Sequence, residues 1–175
     1  MRYLFATGGT AGHINPALAV ASYIRDTYPD SKILFVGTAD HMESRLVPNA
    51  GFDFKTIEIN GFKRSFSPKA VAANVKTVFK LLKSEQASKN IIKEFNPDVV
   101  IGFGGYVSGP VLEEAAKMHI PCCIHEQNAF PGITNKQLAK KVDKVMLTVE
   151  DAAKHLQPKN GVEITGLPLS LIHIS

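Results

Sequence analysis

Two glycine-rich loops constrain this chain more than any other feature: Gly8-Gly9-Thr10-Ala11-Gly12-His13, and the run from Gly102 to Gly109 that reads GFGGYVSG. Each follows an apolar run that reads as a strand, Tyr3–Ala6 and Val99–Ile101, and each leads into a helix start, at Asn15-Pro16 and at Ser108-Gly109-Pro110. A glycine loop between a strand and a helix bares several backbone N–H groups at the positive end of the helix, and so binds phosphate without side-chain charge. One such loop is common. Two predict a ligand carrying a diphosphate, or two phosphorylated ligands meeting in one crevice.

Strand and helix patterns alternate through the rest of the chain. Lys32–Val36 reads as a second strand. Asp40 reads as the cap of a short helix, with Glu43 three residues on as its capping-box partner. Phe54–Ile59 alternates as a strand with one wetter face. The polar, basic segment Asn60–Ser67 reads as a loop. Ser67-Pro68 opens the longest helix, to about Phe95, where Asn96-Pro97-Asp98 stops it. Helix Val111–His119, strand Cys122–Glu126, helix Thr134–Lys141, strand Lys144–Val149, short helix Glu150–Leu156 and strand Val162–Thr165 follow. This alternation predicts an α/β fold, a Rossmann-like doubly wound parallel sheet with helices on both faces. In the common six-stranded order the first and fourth strands lie side by side where the winding reverses, and ligands bind outside their carboxyl ends. Those are the strands followed by glycine loops, so the two cradles are expected to face each other across one crevice.

With 175 residues, 45% of them hydrophobic, the chain is expected to close a single core. Its formal charge of +4 suits an anionic partner. Nucleic acid is the weakest of these, because the lysines are dispersed and no aromatic-basic platform accompanies them. The adjacent Cys122 and Cys123 lie in an apolar strand, so they read as free core thiols on opposite sheet faces. No apolar stretch approaches the roughly 18 residues that span a bilayer. Gly8, Gly9, His13, Asn15 and Pro16 interrupt any signal-peptide core. A cytosolic protein, lying on a membrane if it meets one, is the expectation.

Other phosphate and hydrolase chemistries fail on spacing. The first loop spaces its glycines as 8, 9 and 12 rather than as G-x-G-x-x-G, and the second strand ends Val36-Gly37-Thr38 without the acid a dinucleotide site needs. Neither loop has a P-loop lysine. In Gly105-Tyr106-Val107-Ser108-Gly109 the serine is misplaced for a nucleophile elbow. His125-Glu126 begins like a zinc-binding H-E-x-x-H, but position 129 is alanine. His41, His119, His155 and His173 are scattered and read as surface or packing residues. No metal or cofactor is expected. His13 is different. It ends the first loop beside a helix N-terminus, which favours the neutral imidazole that a general base needs; a loop-shaping role is the equal alternative. The run His125-Glu126-Gln127-Asn128 follows the fifth strand. It suits recognition of sugar hydroxyls or amides, although taken alone an ordinary turn before a helix is the better reading.

Taken together, G-G-T-A-G-H-I-N-P-A-L-A-V-A, G-F-G-G-Y-V-S-G-P and H-E-Q-N-A-F-P-G-I-T-N-K closely resemble the MurG family of bacterial glycosyltransferases, with V-G-T-A-D-H-M-E and N-P-D-V-V in support. The likeness covers residues 1–168. It implies the N-terminal, acceptor-binding domain of a two-domain GT-B fold, with the donor-binding C-terminal domain lying outside this sequence. The implied reaction moves GlcNAc from UDP-GlcNAc to the C4 hydroxyl of undecaprenyl-pyrophosphoryl-MurNAc-pentapeptide, metal-independently and with inversion, on the cytoplasmic face of the inner membrane. By resemblance His13 is the catalytic base. Thr10, Ala11, Gly12 and Asn128 reach the donor, and Gly104, Gly105, Tyr106, Ser108, Glu126 and Gln127 lie on the acceptor's diphosphate side. Ala11 stands where the family often has glycine. After Thr165-Gly166 the family shows Asn-Pro-Val-Arg, whereas this chain reads Leu167-Pro168-Leu169-Ser170, and residues 169–175 have no counterpart. No donor-binding arginine can therefore be assigned, and the tail reads as foreign. The helix from Pro68 to Lys83 carries an apolar stripe beside Lys76, Lys80 and Lys83. The stripe reads chiefly as core-facing, with Leu81, Phe62 and Phe66 as the residues for contact with an anionic membrane surface. Two other classes remain open: a non-catalytic module binding a phosphosugar or lipid diphosphate, and another GT-B enzyme such as a sugar-nucleotide epimerase.

Overall fold

A computed structural model describes residues 1–59 and 68–169, with side chains described outside 60–81. The strands are β1 (Arg2–Ala6), β2 (Lys32–Gly37), β3 (Asp53–Thr56), β4 (Val99–Gly102), β5 (Cys122–Glu126), β6 (Lys144–Leu147) and β7 (Val162–Ile164). They form one sheet in the order β3-β2-β1-β4-β5-β6-β7, and every pairing is parallel. The helices are α1 (Ala11–Thr27), α2 (Glu43–Asn49), α3 (Pro68–Phe95), α4 (Ser108–Lys117) and α5 (Ile133–Leu138), with a 3-10 turn at Glu150–His155. The winding reverses between β1 and β4, as the sequence predicts.

The central strands are buried on both faces, so their side chains divide by the period of two between two cores. Leu4, Ala6, Leu34, Val36, Val100, Ile124 and Leu147 fill one. Phe5, Phe35, Ile101 and Phe103 fill the other, where Phe5 stacks on Phe35 with ring centroids 4.9 Å apart. Cys122 joins the first core and Cys123 packs against the second, both as free thiols. Burial pushes the Cys122 thiol up to about 11 and that of Cys123 to about 12, so both are inert at neutral pH. In register, Ala6 pairs with Val36 on one side and Gly102 on the other. The first and fourth strands therefore end level, and both glycine loops leave the sheet at the same height.

Several boundaries differ from the sequence reading. Helix α1 begins at Ala11, ahead of Asn15-Pro16, and keeps Pro16 inside it; the missing proline N–H leaves the Gly12 carbonyl without its helical donor. Helix α4 starts at Ser108, at the Ser108-Gly109-Pro110 start read from the sequence and ahead of the Val111–His119 pattern, and ends at Lys117. It is followed by His119 in the left-handed region at φ 56°. Asn96, at φ 50°, ends α3 as expected. Strand β3 stops at Thr56, and Glu150–His155 winds as a 3-10 turn rather than an α-helix. The capping box is a correction. Asp40 is exposed, and the residue before α2 is Met42, with no side-chain cap. Glu43 is fully buried and turned back toward β2 and the first glycine loop. It has buried donors to satisfy there, which outweighs capping a short helix that solvent can serve. The loop Asn60–Ser67, the side chains proposed for membrane contact at Phe62, Phe66, Lys76, Lys80 and Leu81, and the tail from Ser170 lie outside the described residues. Among the described residues no helix is long and apolar enough to cross a membrane.

Candidate functional site

The two glycine loops meet. The N–H of Phe103 donates to the carbonyl of Ala6 at 2.9 Å, carrying the β1–β4 pairing past the strand ends. Gly104 and Gly105 then take φ values of +99° and +80°, a region that suits glycine. A Cβ on Gly105 would strike the Gly8 carbonyl, and one on Gly104 would stand 2.9 Å from Cδ2 of His13. Only two glycines in sequence allow the second loop to lie this close to the first. Ser108, at the start of α4, fastens the arrangement from below. It is fully buried, accepts from the Gly104 N–H at 3.1 Å, and has the carbonyls of Gly104 and Ala6 at 2.8 and 3.1 Å for its own proton.

Above the loops opens a cleft of about 470 Å³. Thr10, His13, Gly104, Gly105, Tyr106 and Asn128 line it, together with Glu126 from the end of β5. The structure thus brings together most of the residues singled out from sequence. Four stand differently. Ala11 and Gly12 lie in the first turn of α1 but not on the cleft wall. Ser108 is beneath the loop. Gln127 folds back on its own strand, its Nε2 donating to Nδ1 and the carbonyl of His125 at 3.0 and 3.1 Å. Lysine and arginine are absent from the wall among the described residues. An anionic group here would be met by backbone N–H groups, helix ends and imidazole.

His13 sits in the first turn of α1, and its Nδ1 lies 3.2 Å from the Gly8 carbonyl. A carbonyl only accepts, so Nδ1 carries the proton. In the neutral ring Nε2 is then a bare lone pair, with no partner among the described residues. That is the form a proton acceptor requires.

Glu126 is nearly fully buried at the strand's end. Its Oε1 accepts from the N–H and the side-chain amide of Asn128 at 2.9 and 3.0 Å, and its Oε2 accepts from Gly132 N–H at 3.3 Å and Asn135 Nδ2 at 2.8 Å. The carboxylate therefore shapes the loop that presents Asn128. Asn135 had no signal in the sequence beyond its place in T-N-K. It is buried, lines the cleft, and leaves its Oδ1 without a partner among the described residues. Glu43 and Thr38 were also missed, although V-G-T-A-D-H-M-E contains both. His125 is buried, and desolvation holds its pKa below the ordinary histidine value. Its Nε2 donates to the Gly166 carbonyl at 2.9 Å, leaving Nδ1 to accept from Gln127. Among the described residues no group of three histidine, cysteine or acidic side chains is placed to hold a metal ion.

A doubly wound parallel sheet with two interlocked glycine loops over a cleft at its switch point defines a Rossmann-like α/β ligand-binding domain. A family model for the glycosyltransferase family 28 N-terminal domain matches residues 3–147, and the chain belongs to that family. Among curated proteins it is 49% identical over 169 residues to the UDP-N-acetylglucosamine--N-acetylmuramyl-(pentapeptide) pyrophosphoryl-undecaprenol N-acetylglucosamine transferase of Acetivibrio thermocellus, covering 97% of this chain and 45% of that protein. The enzyme of the same name from Clostridioides difficile is 53% identical over 154 residues, covering 88% of this chain and 37% of that protein. Among solved structures, Acinetobacter baumannii MurG superposes with a TM-score of 0.76 at 31% identity, over 94% of this chain and 45% of that one. UDP-GlcNAc 2-epimerase from Neisseria meningitidis shares the fold, with a TM-score of 0.65 at 16% identity over 95% of this chain and 46% of that one. The chain thus spans less than half the length of these relatives.

Proposed function

We propose that this chain is the acceptor-binding half of an inverting, metal-independent N-acetylglucosaminyltransferase. The donor is UDP-GlcNAc, and the acceptor is the C4 hydroxyl of undecaprenyl-pyrophosphoryl-MurNAc-pentapeptide. The observation that carries the reading is the contact between the two glycine loops with His13 beside them. A diphosphate resting on the backbone of Gly104 and Gly105, beside Tyr106 and Glu126, brings the acceptor sugar to His13. Nε2 of His13 takes the proton from the attacking hydroxyl as UDP leaves. Thr10 and Asn128 are the cleft residues on the donor's side, with Ala11 and Gly12 contributing the helix end behind them. Ser108 and Gln127 serve this site by bracing the loops. The acceptor domain ends near residue 168, and a C-terminal half supplies the remaining donor contacts. The substrates in the relatives' names, at 49% and 53% identity, favour this reading over an epimerase or a non-catalytic binding module.

The test is His13→Ala in the full-length enzyme. Loss of kcat with acceptor KM retained marks a base, whereas a raised KM with kcat intact marks a binding or loop-shaping residue. The acceptor's lipid further places the protein on the anionic cytoplasmic face of the inner membrane, with lysines of the Pro68–Lys83 helix adding about 1 kcal/mol each near the surface. Co-sedimentation with vesicles should then rise with anionic lipid and fall on Lys83→Glu; indifference to both would remove the membrane role.

A further inference from the structure

The motif V-G-T-A-D-H-M-E has no part in the function described so far, and the structure gives it one. Glu43 is fully buried, and each of its oxygens has a defined partner. Oε1 accepts from the N–H and hydroxyl of Thr38 at 3.0 and 2.7 Å, and Oε2 accepts from the N–H of Gly9 at 3.1 Å. Two glycines make room for it. A Cβ on Gly8 would stand 2.7 Å from Oε1, and one on Gly37 would stand 2.5 Å from Cγ. Neither glycine has the positive φ that would otherwise call for the residue. The first glycine of the first loop is therefore explained by the Glu43 carboxylate, and the glycine at the end of β2 by the Glu43 side chain together with the Phe54 ring, 2.7 Å from the same Cβ position.

The Gly9 N–H and the Gly8 carbonyl belong to the same peptide group. Glu43 holds that group by its N–H, and Nδ1–H of His13 holds it by its carbonyl, at 3.2 Å. We propose that Glu43 is a positioning residue for His13, acting through the Gly8–Gly9 peptide as a carboxylate–peptide–imidazole relay. The arrangement parallels a carboxylate bonded directly to a catalytic histidine, with one peptide interposed. A carboxylate on the N–H polarises the peptide and strengthens its carbonyl as an acceptor. Its hold also opposes the peptide flip that would turn an N–H, rather than a carbonyl, toward the imidazole. Both effects keep the proton on Nδ1 and the lone pair on Nε2. Gly9, at φ +93°, gives the peptide the conformation that makes both contacts possible.

The catalytic consequence rests on His13 being the base, but the relay itself does not, and the two are tested separately. Nitrogen-15 spectra of the imidazoles in this chain report the tautomer directly. Neutral His13 should carry its proton on Nδ1, and the Gly9 amide should resonate downfield as a charge-assisted donor. A proton found on Nε2 would overturn the relay without any substitution. Glu43→Gln keeps the shape and removes the charge; it should populate the Nε2–H form, while Asp40→Asn, an exposed change nearby, should not. An unchanged tautomer in folded Glu43→Gln would also overturn the relay. In the full-length enzyme Glu43→Gln should lower kcat on the order of tenfold, as loss of an outer partner to an imidazole does, with acceptor KM retained. If the tautomer shifts but kcat does not, Glu43 orients His13 and the assignment of His13 as the base fails instead.

Discussion

Gly105 and Gly8 are in contact across the switch point of the sheet, and a Cβ on Gly105 would occupy the place of the Gly8 carbonyl. The contact joins two loops almost a hundred residues apart into one cradle. It makes Gly105 a structural requirement before any ligand is considered. Gly105→Ala, at φ +80°, should cost about 1–3 kcal/mol from backbone strain alone. Urea unfolding should show this loss, and a pyrophosphate-bearing acceptor analogue should bind more weakly to the folded fraction. Unchanged stability and affinity would mean that the loops can separate freely and that the cradle is not a unit.

The family resemblance implies that Glu126 contacts the acceptor, and its four hydrogen bonds add a loop-shaping role. Glu126→Gln is nearly isosteric, but its amide group would confront donors at Asn128, Gly132 or Asn135. The expected cost is about 1–3 kcal/mol. Urea midpoints for this variant and for Asn128→Ala separate the two duties: Glu126→Gln should destabilise the domain, and Asn128→Ala, exposed at the tip, much less. Equal midpoints for Glu126→Gln and the unchanged protein would remove the loop-shaping role.

The buried His125 ties stability to pH. Its pKa in the folded chain lies below the reference value of 6.5, chiefly through desolvation. Just below that pH the unfolded chain binds more protons than the folded one. Stability should therefore fall as pH drops from about 6.5, and this contribution should level off once His125 is protonated in the folded state. Urea midpoints between pH 7.5 and 5 measure the slope, which should flatten in His125→Asn. An identical slope in that variant would assign the pH dependence to other groups.

Much of this was legible in the sequence. Strand order, the meeting of the two loops and the opposite facing of Cys122 and Cys123 follow from apolar runs, glycine placement and the period of two. What was not legible depends on side chains that reach across the fold. Glu43, three residues after Asp40, has capping-box spacing, and nothing local shows that Gly8 and Gly37 have left space for its carboxylate. Ser108 and Gln127 belong to loop motifs whose resemblance implies that they face a ligand, yet each hydrogen-bonds inward. Sequence spacing places a residue on a loop; only the packed neighbours decide which way it turns. Asn135 is the converse case, reaching the cleft from α5 through its bond to Glu126.

On the proposed function, this chain supplies an acceptor cradle and the base but too little of the donor site for transfer, since the donor's anomeric carbon must be held within about 3–3.5 Å of the attacking oxygen. The most direct measurement is UDP release from UDP-GlcNAc with a soluble MurNAc-pentapeptide pyrophosphate acceptor, for this chain alone and for the full-length enzyme. Acceptor-dependent release by the full-length enzyme, and none by this chain despite measurable acceptor binding, is the predicted result. Acceptor-dependent turnover by this chain alone would contradict it and require a donor site within these 175 residues.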